Sequence, residues 1–198
     1  MKKLLLTVVM ASLMVTGVQA KPWKEVRVAI EGAYPPFSSV DEKGQLLGFD
    51  VDITNALCEQ MKVKCTIVKQ DWDGMIPGLM ARKFDAIIST MDITEERKKS
   101  IDFSEKYQHV PARFAAKKGA TLELTDAFMK DKKIGVQRAT SMDTYVSDNF
   151  PHATIKRYGT ADEAYLDLKS GRVDYVLADA ASLIDGLVKK SNGEYSLT

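Results

Sequence analysis

The stretch KCTIVKQDWDGMIPGLMARKFDAIISTMDITEERK, residues 64–98, decides the fold of this chain. KCTIVKQ reads as a strand, DGMIPGLMARK as a helix despite Pro77, and DAIIS as a short buried strand. Then charge arrives abruptly, with Asp92, Glu95, Glu96 and Arg97. Acids at a helix start are ordinary, because the first turn offers unpaired N–H groups and the positive end of the helix dipole. That does not account for the arginine, or for the Ser89-Thr90 pair just before it. Strand, helix, strand and helix in succession define an α/β fold with a largely parallel sheet.

Working outward, the same rhythm extends in both directions. Upstream, VRVAI is a buried strand, and GFDVDITNALCEQM spaces Phe49, Ile53, Ala56, Leu57 and Met61 close to helical periodicity. Downstream the series begins again. ARFAAKK, KIGVQ, TIKRY and DYVLAD are strands, and SMDTYVSDNF, ADEAYLDLKSG and AASLIDGLVKK are helices. No low-complexity linker separates the two series, and the connection near Val110-Pro111 is short. The expectation is two α/β lobes, over residues 21–109 and 110–198, with a hinge near 110–112.

The first twenty residues are read apart from the fold. MKK, an apolar stretch, and then Val18 and Ala20 before the cut describe a secretory signal removed after Ala20. No Cys follows that cut, which argues against a lipid anchor. The whole chain carries 28 basic and 27 acidic residues; without Lys2 and Lys3 the balance is 26 against 27, a net charge of −1. With no basic block, nothing supports nucleic-acid binding. An exported chain with Cys58 and Cys65 seven positions apart favours a disulfide, which for so short a loop contributes about 2–3 kcal/mol. Zinc is a poor alternative, because His109 and His152 stand alone.

Ligands of α/β sheets gather at the carboxyl ends of strands. There the sequence places Glu31, Tyr34, Trp72, Ser89, Thr90, Asp92, Arg97, Gln137, Thr140, Ser141 and Asp179. A guanidinium matches a carboxylate with two parallel bonds, and carboxylates match an ammonium, so Arg97 with Asp92 and Asp179 would suit a zwitterion. Each residue also has a plainer reading. Arg97 is equally a surface ion-pair partner, Asp92 and Asp179 are helix caps, Trp72 is core, and Tyr34 packs beside Pro35-Pro36.

Longer motifs add to this. YPPFSSVDEKGQLLGFDVDI, CEQMKVKC, DWDGMIPGLMARKFDAIISTMDITEERKKSIDFSEKY, KIGVQRATSMDTY and LKSGRVDYVLAD together resemble the periplasmic solute-binding proteins of the amino-acid-binding class. These are the receptor components of ABC importers, and the likeness is strongest to the lysine/arginine/ornithine, histidine and arginine binders. It runs in order along nearly the whole chain after residue 20; GFDVDI and ITEERKK with DFSEKY are its most specific parts.

The resemblance implies a two-lobed periplasmic binding protein fold (a Venus flytrap), each lobe a mostly parallel sheet flanked by helices. It implies Arg97 on the ligand α-carboxylate, with the backbone of Thr90 and Ser141 nearby. Asp179 would take the α-ammonium, helped by Asp92. Tyr34 and Trp72 would sandwich the side chain, Ser89 and Thr140 would offer hydroxyls, and Glu31 would reach a distal cation. Cys58 and Cys65 match the family disulfide. Trp72 replaces a more usual Phe, Asp92 a frequent Ser, and Met142 a Gln of some relatives; an added acid and a larger ring both favour a cationic ligand. The expected ligand is arginine, lysine or ornithine, ahead of histidine, bound without cofactor or metal by a monomer that serves an inner-membrane permease. An enzyme on the same scaffold, a cyclohexadienyl or arogenate dehydratase, is the alternative; it would need a base, for which only Glu31 or His109 offers itself. The chain stops at NGEYSLT, where members of this class continue, so a C-terminally shortened first lobe with exposed apolar surface is expected.

Overall fold

The computed structural model describes residues 23–198, so the leader expected over residues 1–20 lies outside the described residues. The chain runs β1 (Glu25–Ile30), a ribbon of β2 (Ser39–Val40) and β3 (Leu46–Leu47), α1 (Phe49–Met61), β4 (Lys64–Lys69), a 3-10 turn at Trp72–Gly74, α2 (Met75–Met80), β5 (Ala86–Ile87) and α3 (Glu95–Lys98). Residues 101–111 carry no regular structure. The second series is β6 (Ala112–Lys117), α4 (Asp126–Met129), β7 (Lys133–Gln137), α5 (Ser141–Asn149), β8 (Thr154–Tyr158), α6 (Ala161–Lys169), β9 (Tyr175–Asp179), α7 (Ala180–Leu183) and β10 (Tyr195–Leu197).

Two principal sheets result. One is wholly parallel, in the order β4-β1-β5. The other has the order β10-β6-β9-β7-β8. It is parallel from β9 through β7 to β8, and antiparallel from β9 outward to β6 and β10.

The apolar runs explain the layering. Along β1, Ala29 turns to Met75, Phe84 and Trp72, while Val28 and Ile30 turn to Val51 of α1. Along β9, Val176 and Ala178 face α6 and α7, while Tyr175 and Leu177 face Phe150 and the α5 side. The two-residue period of a strand with both faces covered produces this split. Pro77 is tolerated because it is the third residue of α2, where no intrahelical N–H bond is due. Helices α3, α4, α5 and α6 each begin on a threonine cap, Thr94, Thr125, Thr140 and Thr160. The segment AASLIDGLVKK is not one regular helix: α7 widens into a π turn at Ile184–Val188 and tightens at Lys189–Ser191. The wide turn lies where Gly186 packs on the ring of Tyr165.

The Cys58–Cys65 disulfide ties α1 to β4. At the other end of α1, Gly48 has φ 118°, and a Cβ there would lie 2.5 Å from the carbonyl oxygen of Phe37. Only glycine satisfies both conditions. Beside the edge strand β5, a groove of about 650 Å³ is lined by Leu57, Leu79, Ile87, Ile88, Ile101 and Phe103.

Candidate ligand-binding site

Strand ends converge between the two sheets. Glu31 follows β1, Trp72 follows β4, Ser89 and Thr90 follow β5, Gln137 closes β7, Thr140 and Ser141 open α5, and Asp179 closes β9. With Tyr34, Asp92, Arg97 and Met142 they line one cleft. The ten side chains expected to meet the ligand therefore line it together, with Gln137, which the strand ends also offered, and Met142.

Arg97 does not take the surface ion-pair alternative. Lys98 pairs with Glu95 at 2.8 Å and Lys99 with Glu96 at 2.5 Å, whereas Arg97 turns inward. Its Nη1 donates to the Asp92 carbonyl at 2.8 Å, its Nη2 to the Ala139 carbonyl at 3.2 Å, and its guanidinium lies 5.3 Å from the Trp72 ring centre. Both hydrogen-bond acceptors are neutral carbonyls, so the charge is uncompensated by contact. Burial pulls its pKa below the usual value, and Asp92 partly offsets this. The α3 cap is Thr94, which accepts from the Arg97 N–H, and not Asp92.

Asp179 occupies the cap position of α7 but makes no side-chain cap bond. Instead Tyr34 donates its hydroxyl to Asp179 Oδ2 at 2.9 Å and accepts the Asp179 N–H at 3.1 Å. Burial raises the Asp179 pKa to about 6; the Tyr34 bond opposes this, and Asp92 adds to it. Asp92 itself is exposed, and its carboxylate accepts the Ser141 hydroxyl.

At the far end Glu31 is 3% exposed. Gln137 Nε2 donates to its Oε1 at 2.5 Å, and the Glu31 N–H donates to Ser89 Oγ at 3.1 Å. Burial drives the Glu31 pKa up to about 7 against the lowering effect of Gln137. The Gln137 amide also donates to the Gly159 carbonyl at 3.1 Å. Trp72 is buried, with Nε1 donating to the Ala139 carbonyl at 3.1 Å. The Tyr34 ring stacks on Phe37, with centroids 5.9 Å apart. Thr140 caps α5 by accepting the Asp143 N–H, and donates to the Gln137 carbonyl at 2.7 Å. Outside the cleft, Arg138 meets Asp73 at 2.6 Å across the same gap. The cleft thus holds one guanidinium, that of Arg97, and two buried carboxylates, those of Asp179 and Glu31.

Such a cleft between two α/β lobes suits capture of a small charged molecule. The profile of the bacterial extracellular solute-binding proteins, family 3, matches residues 26–192, and the chain belongs to that family. It is 51% identical over 173 residues to the L-arginine-binding protein of Pseudomonas aeruginosa, covering 86% of this chain and 67% of that protein. It is 37% identical over 181 residues to the ABC transporter arginine-binding protein 1 of Escherichia coli, covering 91% of this chain and 72% of that protein. A solved structure of an ancestral arginine-binding protein bound to arginine superposes with a TM-score of 0.84 at 34% identity, over 90% of this chain and 80% of that one.

Proposed function

We propose that this chain is the periplasmic receptor of an ABC amino-acid importer and binds a basic L-amino acid, arginine foremost, by closure of two lobes, residues 21–109 and 110–198. The observation that carries this reading is a single cleft that offers Arg97 to a carboxylate, Asp179 to an ammonium and buried Glu31 to a second cation. A neutral or acidic side chain would leave Glu31 uncompensated, and burying an unpaired charge is costly. The named arginine-binding relatives support the same choice.

Arg97 takes the α-carboxylate, Asp179 the α-ammonium, and Glu31 with Gln137 the distal group. Trp72 and Tyr34 flank the aliphatic stem, and Ser89, Asp92, Thr140 and Ser141 complete the wall. Charge-assisted hydrogen bonds contribute about 1.5–3 kcal/mol each. Four to six of them, less desolvation and closure costs, reach about −8 kcal/mol, a micromolar dissociation constant. No bond of the ligand is broken, so the protein is a binder and not an enzyme. It acts as a monomer after removal of residues 1–20, and presents its closed form to the permease. Calorimetry with arginine, lysine, ornithine, histidine, glutamine and glutamate tests the reading. Heat with the basic set and none with glutamate is expected, and preference for glutamate or no binding at all overturns it.

A further inference from the structure

GFDVDI is among the most specific motifs of the chain, yet none of its residues lines the cleft. Asp50 is 1% exposed at the start of α1. Among the described residues its carboxylate meets no lysine or arginine. It accepts the Thr90 hydroxyl, at 2.9 Å on Oδ2 and 3.1 Å on Oδ1, and the Tyr107 hydroxyl at 3.4 Å. Gln108 Nε2 donates to the same Thr90 oxygen at 2.9 Å. The single proton of that hydroxyl is therefore committed to Asp50, and one of its lone pairs to Gln108.

Thr90 has φ 48°. A β-branched residue in the left-handed region is rare and strained, and persists only where its surroundings impose it. Here the Asp50 carboxylate is the group that the Thr90 hydroxyl meets. With its hydroxyl directed to Asp50, Thr90 still lines the cleft. Tyr107 and Gln108 belong to the 101–111 segment that leads into β6, and the pair ties that segment down, Asp50 through the Tyr107 hydroxyl and Thr90 through the Gln108 amide.

The geometry points to Asp50 as a positioning residue for the ligand, holding Thr90 in its left-handed conformation and pinning the connector to the binding loop. The role presupposes the binding function proposed above. It predicts non-additivity, because glycine adopts positive φ unaided. Asp50→Asn should weaken L-arginine binding at least tenfold when residue 90 is threonine, and less than threefold in a Thr90→Gly background. A residue needed only for stability would cost the same in both. Calorimetry with L-arginine on wild type, both single variants and the double variant reads this, with melting temperatures recorded without ligand. Equal losses in the two backgrounds overturn the positioning role. An absence of heat with the wild type overturns the binding function as well. Should Asp50→Asn not fold, Thr90→Val keeps the branched shape and removes the proton given to Asp50. At least a tenfold loss with an unchanged melting temperature supports the role, and unchanged affinity overturns it.

Discussion

At the scale of single residues, the cleft is a set of groups whose protonation opposes its task. Burial pushes Glu31 to about 7 and Asp179 to about 6, so near pH 7 Glu31 is partly protonated and a cationic ligand must expel that proton, while Asp179 is largely ionised. Outside the cleft, burial likewise raises Asp50 to about 6, against the lowering effect of Thr90 and Tyr107. Carboxylates raised in the folded state stabilise it fully below their unfolded values and lose that contribution as pH rises through about 6 to 7. The ligand-free protein should therefore melt at higher temperature at pH 5 than at pH 8, as far as these groups govern it. Arginine affinity should move the other way, falling about tenfold from pH 8 to pH 6 as Glu31 protonates. Thermal scans and calorimetry across that range check both signs, and Glu31→Gln should flatten the affinity profile. Glu31→Gln should also cost arginine and lysine more than glutamine; equal losses would remove Glu31 from side-chain recognition. Arg97→Ala should abolish measurable binding, because it strands a carboxylate in a closed site.

At the scale of elements, capping ties stability to the cleft. Thr140 holds both the first turn of α5 and the end of β7, so Thr140→Ala should cost about 1 kcal/mol in denaturant unfolding. Residues 64–98 were legible because apolar runs and helical spacing alternate there without ambiguity. The ribbon of β2 and β3 was not, since two-residue strands carry no period. Nor was β10, whose three residues become a strand only by pairing with Lys117, Ala116 and Ala115. Arg97, Asp92 and Asp179 stood out because charge beside a strand end is conspicuous. Gln137 was noted at a strand end but given no role as a neutral amide, and its contact with Glu31, 106 positions away in the chain, reveals its place. The π turn left no trace in AASLIDGLVKK; it lies where Gly186 packs on Tyr165, a tertiary contact that local propensity does not record.

At the scale of the whole molecule, polar contacts join the lobes across the cleft: Glu31 with Gln137, Tyr34 with Asp179, Asp92 with Ser141, Trp72 and Arg97 with the Ala139 carbonyl, and Asp73 with Arg138. The exposed pair of Asp73 with Arg138 contributes only about 0–1 kcal/mol; the buried bonds of Glu31 and Asp179 are the ones a bound ligand must replace. Small-angle scattering should record a smaller radius of gyration after arginine is added, and an unchanged radius would argue against lobe closure.

Gly48 sets a limit on variation. Its backbone twist and the Phe37 oxygen above it exclude every L side chain by two separate causes. Gly44, at φ 79° with open space around it, is constrained by the first cause alone. In a saturation library selected for uptake, asparagine and aspartate should survive at position 44, while position 48 should return glycine and nothing else.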